Sequence, residues 1–207
     1  LLCGVGVVYH QITYMQNKKL GINLDDILVV HAPPINFNSE DIRKKNAFKE
    51  QVLQLASVQK VSTSSKIPGI PIDWSTSIRP DKKSERSTSV KMIAMDMDYP
   101  QLYDFHIGAG RFYRDGDDTF TTGEVLVNQQ VLNFLGIPND EAAIGQVFYS
   151  PTFGNRQLTI IGVVQDYHHL ALKEVIPPML YVYSIWSNYY SVKLQLPEGG
   201  DGAGRME

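Results

Sequence analysis

The sequence predicts an α+β fold in two parts, a β-α-β unit followed by a mostly-β region. Two observations carry that prediction. Between residues 26 and 64, two short apolar runs flank a helical pattern. From Ile67 onward the apolar segments shorten and are separated by Pro, Gly and charged turns.

Residues 26–31 (DILVVH) form a strand-type run closed by Pro33 and Pro34. Asn38, three residues before Asp41, is a cap-like helix start. The helix behind it is expected to bury Phe48, Val52 and Leu55 on one face, at i, i+4 and i+7. Residues 58–64 supply the second strand. The run IPGIP at 67–71 is a boundary, and 81–87 is a charged, Ser-rich turn. Beyond it, strands are predicted at 89–97, 124–128, 146–150 and 157–164, the last two paired across Phe153, Gly154 and Asn155. Short helices fit near 100–105 and 129–135, the second stopped by Gly136. In 189–196, Tyr190, Val192, Leu194 and Leu196 alternate with Ser191, Lys193 and Gln195, a period that predicts one wet face. The Gly-rich run 199–204 reads as a flexible loop or frayed end.

The opening run LLCGVGVVY (1–9) is uncharged but far shorter than the ~20 apolar residues of a spanning helix. Two readings stand: a buried first element, or the outer end of a transmembrane helix. From Val8 to Leu20 there is no Gly or Pro, and Lys18, Lys19 and Leu20 precede Gly21 as a helix stop. Cys3 is the only cysteine, so no internal disulfide forms. With 43% hydrophobic and 20% charged residues and a net charge of -3, the chain lacks the basic surface of a nucleic-acid binder.

Signatures of catalysis are missing. The chain has no P-loop, no G-x-S-x-G elbow and no H-E-x-x-H helix. Asp115, Gly116, Asp117 and Asp118 fail the spacing of a calcium loop and read as a turn. The sharpest cluster is Asp166, Tyr167, His168 and His169, whose carboxylate and imidazoles suit zinc or acid–base work. Adjacent histidines on an extended chain point to opposite sides, however, which favours a structural role. His10, His31 and His106 have no ligand spacing to the pair. No catalytic residue, metal or cofactor is assigned. Gly108, Ala109, Gly110 and Arg111 read as a backbone corner, with Arg111 supplying a fork of donors to pin a loop.

In this order the segments resemble the MacB-like periplasmic core domain of FtsX-type ABC transporter permeases. The motifs are VVYHQITYMQNKKLGIN at the start, DDILVV, MDYPQLYDFHIGAGRFY (97–113), EVLVNQQVLNFLG (124–136) and AAIGQVF (142–148). LTIIGVVQDYHHLALKE (158–174) and YYSVKL (189–194) complete them, and the resemblance runs nearly to Leu196. Gly108, Gly110, Arg111, Gly145, Gly162 and Asp166 lie in these motifs as structural positions.

The resemblance implies three regions. Residues 1–20 would be the end of a transmembrane helix and its stalk. Residues 21–66 with 184–207 would form a porter-like α/β subdomain near the membrane, and 67–183 an inserted mostly-β subdomain. It implies no enzyme activity here, since a separate cytoplasmic ATP-binding subunit or domain hydrolyses ATP. That subunit would be reached through membrane helices, and the domain would lie outside the inner (plasma) membrane and relay motion for efflux or for peptide, drug or lipoprotein transport. A periplasmic adaptor or substrate protein is the further partner implied, and nucleic acid is not. Because the family continues with another helix and strand, an open sheet edge is expected. Two alternatives stay open. One is an independent peptide- or substrate-binding module with a groove between the parts, marked by a deep polar-lined pocket. The other is a periplasmic enzyme using Asp166, His168 or His169, marked by a pocket holding a His and a carboxylate.

Overall fold

A computed structural model describes residues 20–33, 39–114, 116–117, 119–154, 156–184 and 187–195. The expected stalk over residues 1–19, the cap at Asn38 and the Gly-rich run lie outside the described residues.

Strands β1 (Ile27–His31) and β2 (Val58–Ser64) both run antiparallel to β10 (Tyr189–Leu194). They are therefore parallel to each other, joined by helix α1 (Ser39–Leu53), with the last described strand inserted between them. Tyr190 and Val192 hold β10 there by packing with Val61 and Ala32, and with Val52 of α1. The wet face expected for this strand is only partly present, with Gln195 exposed and Lys193 partly exposed. Ser191 is buried, and its hydroxyl lies 2.7 Å from that of Tyr103, just past helix α2 (Tyr99–Leu102). Alternation reports two chemically different faces, and here another element seals the polar one at Ser191.

Helix α1 also departs from expectation. Val52 is partly buried, but Phe48 is 41% exposed and Leu55 lies beyond the helix, 57% exposed. Phe48 still places its ring edge-on to Tyr190 at 4.8 Å. Lys45 is the buried member of this helix, and burial lowers its pKa to about 8. A cavity of about 400 Å³ remains beside Val30, Phe48 and Tyr190, and Leu28, Val29 and Val30 of β1 are exposed at the end of the sheet.

The sheet continues through one paired position, Ser64 opposite Met95, into β4 (Thr88–Met95). Strand β3 (Ser75–Ile78) lies antiparallel to β4 and β9 (Met179–Tyr183) parallel to it. Next come β6 (Glu124–Asn128), antiparallel to β9, and β8 (Arg156–Val164), parallel to β6. Strands β5 (Ile107–Gly110) and β7 (Val147–Ser150) pair antiparallel with β8, completing ten strands among the described residues. Both faces of the middle strands are covered. On one side Met92, Ala94, Leu180 and Val182 pack against Val131 and Leu132 of helix α4 (Gln129–Leu135). On the other, Ile93 and Met95 meet an aromatic core of Tyr99, Tyr103, Phe105, Tyr167 and Tyr181. Coverage of both faces explains why β9 is a continuous apolar run without alternation. Helices α3 (Thr119–Thr122) and α5 (Asp140–Ala143) are single turns.

Asp96 binds the two halves together. Its carboxylate accepts from Ser62 Oγ at 2.7 Å, Thr63 N at 2.8 Å and Thr63 Oγ1 at 3.1 Å on β2. It also accepts from Lys49 Nζ of α1 at 2.8 Å and from the Tyr99 amide that opens α2 at 3.1 Å. Burial alone would lower the Lys49 pKa, but the Asp96 and Asp98 carboxylates outweigh it and raise the value. The Lys49 and Asp96 side chains are only 20% and 16% exposed, so each loses much if the other is removed. Replacing Asp96 with Ala is expected to cost about 3 kcal/mol, read as a lowered urea midpoint. A loss below about 1 kcal/mol would show that the two halves are held by packing instead.

Candidate functional site

Gly108 to Gly110 of the expected corner belong to β5, and Arg111 follows it directly. A register shift lies between Ile107 and Ala109, and Gly110 takes φ +80° opposite Gly162 of β8. A methyl group on Gly110 would strike the Ile161 carbonyl, and one on Gly162 the Arg111 carbonyl, so the two strands meet at this distance only through glycine. Gly108 lies outside the left-handed region and faces only the Asp140 side chain, while Gly145 has φ +80° and open space around it. The Arg111 amide donates to the Ile161 carbonyl at 3.0 Å. Its guanidinium forks onto Asp117, with a further contact to Glu124 Oε1 at 3.4 Å. The hydrogen bond from Arg111 holds the Asp117 carboxyl below the usual range, and the Arg114 amide donates to that carboxylate at 2.8 Å. Gly162→Ala should cost about 1–3 kcal/mol and Gly110→Ala a similar amount. Gly108→Ala should stay within about 0.5 kcal/mol, because the Asp140 side chain can swing away. Equal losses at all three in urea unfolding would refute this ranking.

The Asp166–His169 cluster follows β8, and its side chains separate. Asp166 Oδ2 accepts from Gln130 Nε2 of α4 at 2.6 Å, while Oδ1 is buried without a partner. Tyr167 enters the aromatic core. His169 is buried, with Nε2 2.8 Å from the Ile70 carbonyl and Nδ1 3.0 Å from the Tyr167 hydroxyl. A carbonyl only accepts, so Nε2 carries the proton and Nδ1 accepts from Tyr167. The Gly69 amide donates to the His169 carbonyl at 2.7 Å, tying this loop to the 67–71 boundary. His168 faces the other way, into a cavity with Ile72 and Lys91. The cluster does not converge on a common point, and among the described residues no group of three His, Cys, Asp or Glu side chains gathers to hold a metal.

What the cluster does hold is the start of the described chain. The His168 amide donates to the Leu20 carbonyl at 2.9 Å, and the Asn23 amide to the Tyr103 carbonyl at 2.9 Å. Ile22 packs against the aromatic core. Sequence reasoning did not foresee this docking, nor the Asp96 hub. The signal for the hub lay in two acids spaced by one residue, Asp96 and Asp98, and two lysines spaced by a helical turn, Lys45 and Lys49.

Burial lowers the His169 pKa from its ordinary value of about 6.5. The unfolded chain then binds more protons than the folded one between the lowered value and 6.5, so stability rises with pH there and falls on acidification. A Tm that drops as pH falls below about 6.5, with a shallower drop in His169→Asn, is the expected result. An unchanged pH profile in the variant would remove His169 as the cause.

A sequence profile of the MacB-like periplasmic core domain matches residues 4–201. Among solved structures, the periplasmic region of MacB from Actinobacillus actinomycetemcomitans aligns at a TM-score of 0.54 and 15% identity, covering 84% of this chain and 76% of that one. The extracellular domain of the noncanonic ABC-type transporter YknZ from Gram-positive bacteria aligns at 0.51 and 16%, covering 81% and 82%. No curated protein sequence matches the chain significantly. These structural likenesses establish a shared mixed α+β fold, and the profile covers almost the whole sequence. The chain belongs to the MacB-like periplasmic core domain family, the extracytoplasmic domain of ABC transporter permeases of the MacB and FtsX type.

Proposed function

We propose that this domain relays ATP-driven motion from membrane helices to the extracytoplasmic side, and that hydrolysis takes place in a separate cytoplasmic ATP-binding subunit or domain. The permease would sit in the inner (plasma) membrane, with residues 1–20 as the outer end of a spanning helix and its stalk. No described helix is long and apolar enough to cross a membrane. In this reading residues 21–66 and 184–207 are the membrane-proximal subdomain and 67–183 the inserted one. The single paired position between β2 and β4 supports that division. A periplasmic adaptor or a substrate protein would engage the moving domain.

The observation that carries the proposal is the docking of Leu20 to Asn23 on Tyr103 and on the Asp166–His169 loop. A tether that only anchors a domain needs no such fixation, whereas a stalk that moves one must be attached where the body is stiff. Its attachment here is to the aromatic core.

Inserting Gly-Gly beside Tyr14 should interrupt the stalk without touching the folded body. In the reconstituted complex, ATP hydrolysis should persist while transport falls at least tenfold. Undiminished transport with the interrupted stalk would defeat the relay reading.

A further inference from the structure

A second feature lies on the far side of the same loop, and it does not depend on the relay. Between Ile72, strand β4 and the loop that joins β8 to β9 is a cavity of about 220 Å³. Its lining is chiefly apolar, with Ile72, Leu170, Ile176 and Pro177 contributing. At ~30 Å³ per water it holds about seven waters, close to one leucine-sized residue.

Four polar residues line this cavity, and the side chains of three of them, Lys91, His168 and Glu174, have no hydrogen-bond or ion-pair partner among the described residues, while His169 is fully engaged. The His168 Nδ1 is buried and unpaired, in contrast to His169 beside it, whose two ring nitrogens are both engaged. In this rotamer that nitrogen is closed to a water-sized atom, and a turn of the imidazole about χ2 is what presents it to the cavity. Lys91 is half-buried on β4, where its amide donates to the Pro178 carbonyl at 2.9 Å, so its ammonium projects from a rigid strand. Glu174 is exposed at the mouth, next to Val175, which is 91% exposed.

We propose that this cavity is a binding site for an apolar α-carboxylate, either a free amino acid or the C-terminal residue of a peptide. The side chain fills the apolar cup and the carboxylate meets Lys91 and His168. The nitrogen on the α-carbon, as an ammonium or an amide N–H, donates to Glu174. The acidic rim selects against dianions such as phosphate, since a like charge at the entrance is repelled. Val175 would be covered by the remainder of a peptide, consistent with an exposed apolar residue at a binding rim.

Ligand-observed NMR titration of the chain with leucine, N-acetyl-leucine, leucinamide and inorganic phosphate tests this. Ligands of this size with ordinary efficiency bind at roughly 1 mM. Saturable binding of N-acetyl-leucine, with or without leucine, identifies a peptide C-terminus as the source. Binding of leucine alone identifies a free amino acid, and both results support the site. Leucinamide and phosphate should bind at least tenfold more weakly. Lys91→Met should weaken the carboxylate ligands at least tenfold and Lys91→Arg less than threefold, with Tm unchanged in each. Glu174→Gln should weaken free leucine and leave N-acetyl-leucine within about threefold, a readout that survives even if Lys91→Met fails to fold. Absence of saturation by any carboxylate, equal binding of leucinamide, or wild-type affinity in a folded Lys91→Met would overturn the proposal.

Discussion

The structure depends on the ionic hub at Asp96. One carboxylate joins a helix, two strands and the start of a second helix, at the only register position where β2 and β4 pair. A sheet that narrows to a single paired residue would ordinarily be a hinge. The crossing has two backbone bonds, Ser65 N to the Ala94 carbonyl at 2.8 Å and Asp96 N to the Thr63 carbonyl at 3.0 Å, and charge-assisted hydrogen bonds from Lys49, Ser62 and Thr63 reinforce this short ladder. Lys49 is needed in turn, because a half-buried carboxylate with neutral donors alone carries an uncompensated charge. Separate hydrophobic clusters thereby lie along one sheet.

Much of this architecture was legible in the sequence, and the exceptions have physical causes. Strands β2, β6, β7 and β8 fall where their apolar runs and turn residues place them, and α4 ends at Gly136, whose φ of +74° lets its amide reach the Leu132 carbonyl. The β7–β8 pairing across residues 153–155 follows from the turn alone. Strand β9 is not legible in the sequence because Met179–Tyr183 is apolar throughout, and such a run gives no period to read. Ser191 was assigned to solvent because its partner, Tyr103, is remote in sequence. Periodicity reveals which face differs, not what will cover it.

The Asp166–His169 motif was readable as a cluster but not as a function. Its residue types suit a metal or an acid–base pair, and only coordinates show Asp166 turned to Gln130 and His169 to Ile70. Two of its contacts run through main-chain amides and carbonyls, which every residue possesses and which leave no trace in composition. The same loop faces the incoming chain through its backbone and a solvent-open cavity through His168. Contacts of this kind place two environments a single residue apart.

The position of β10 has a consequence for how the molecule is made. A ribosome releases β1, α1 and β2 before β3 to β9, yet the strand that lies between β1 and β2 follows all of these, and Tyr189 finds Ser64 only after everything from β3 to β9 has been synthesised. Until then β1 and β2 have no shared neighbour, and their exposed edges must be kept from mispairing. Loop closure over so long a separation is slow. Residues 67–183 can collapse on their own cores in the interval, bringing the two ends of the segment together. Two early-made strands thus wait for a neighbour that is made much later.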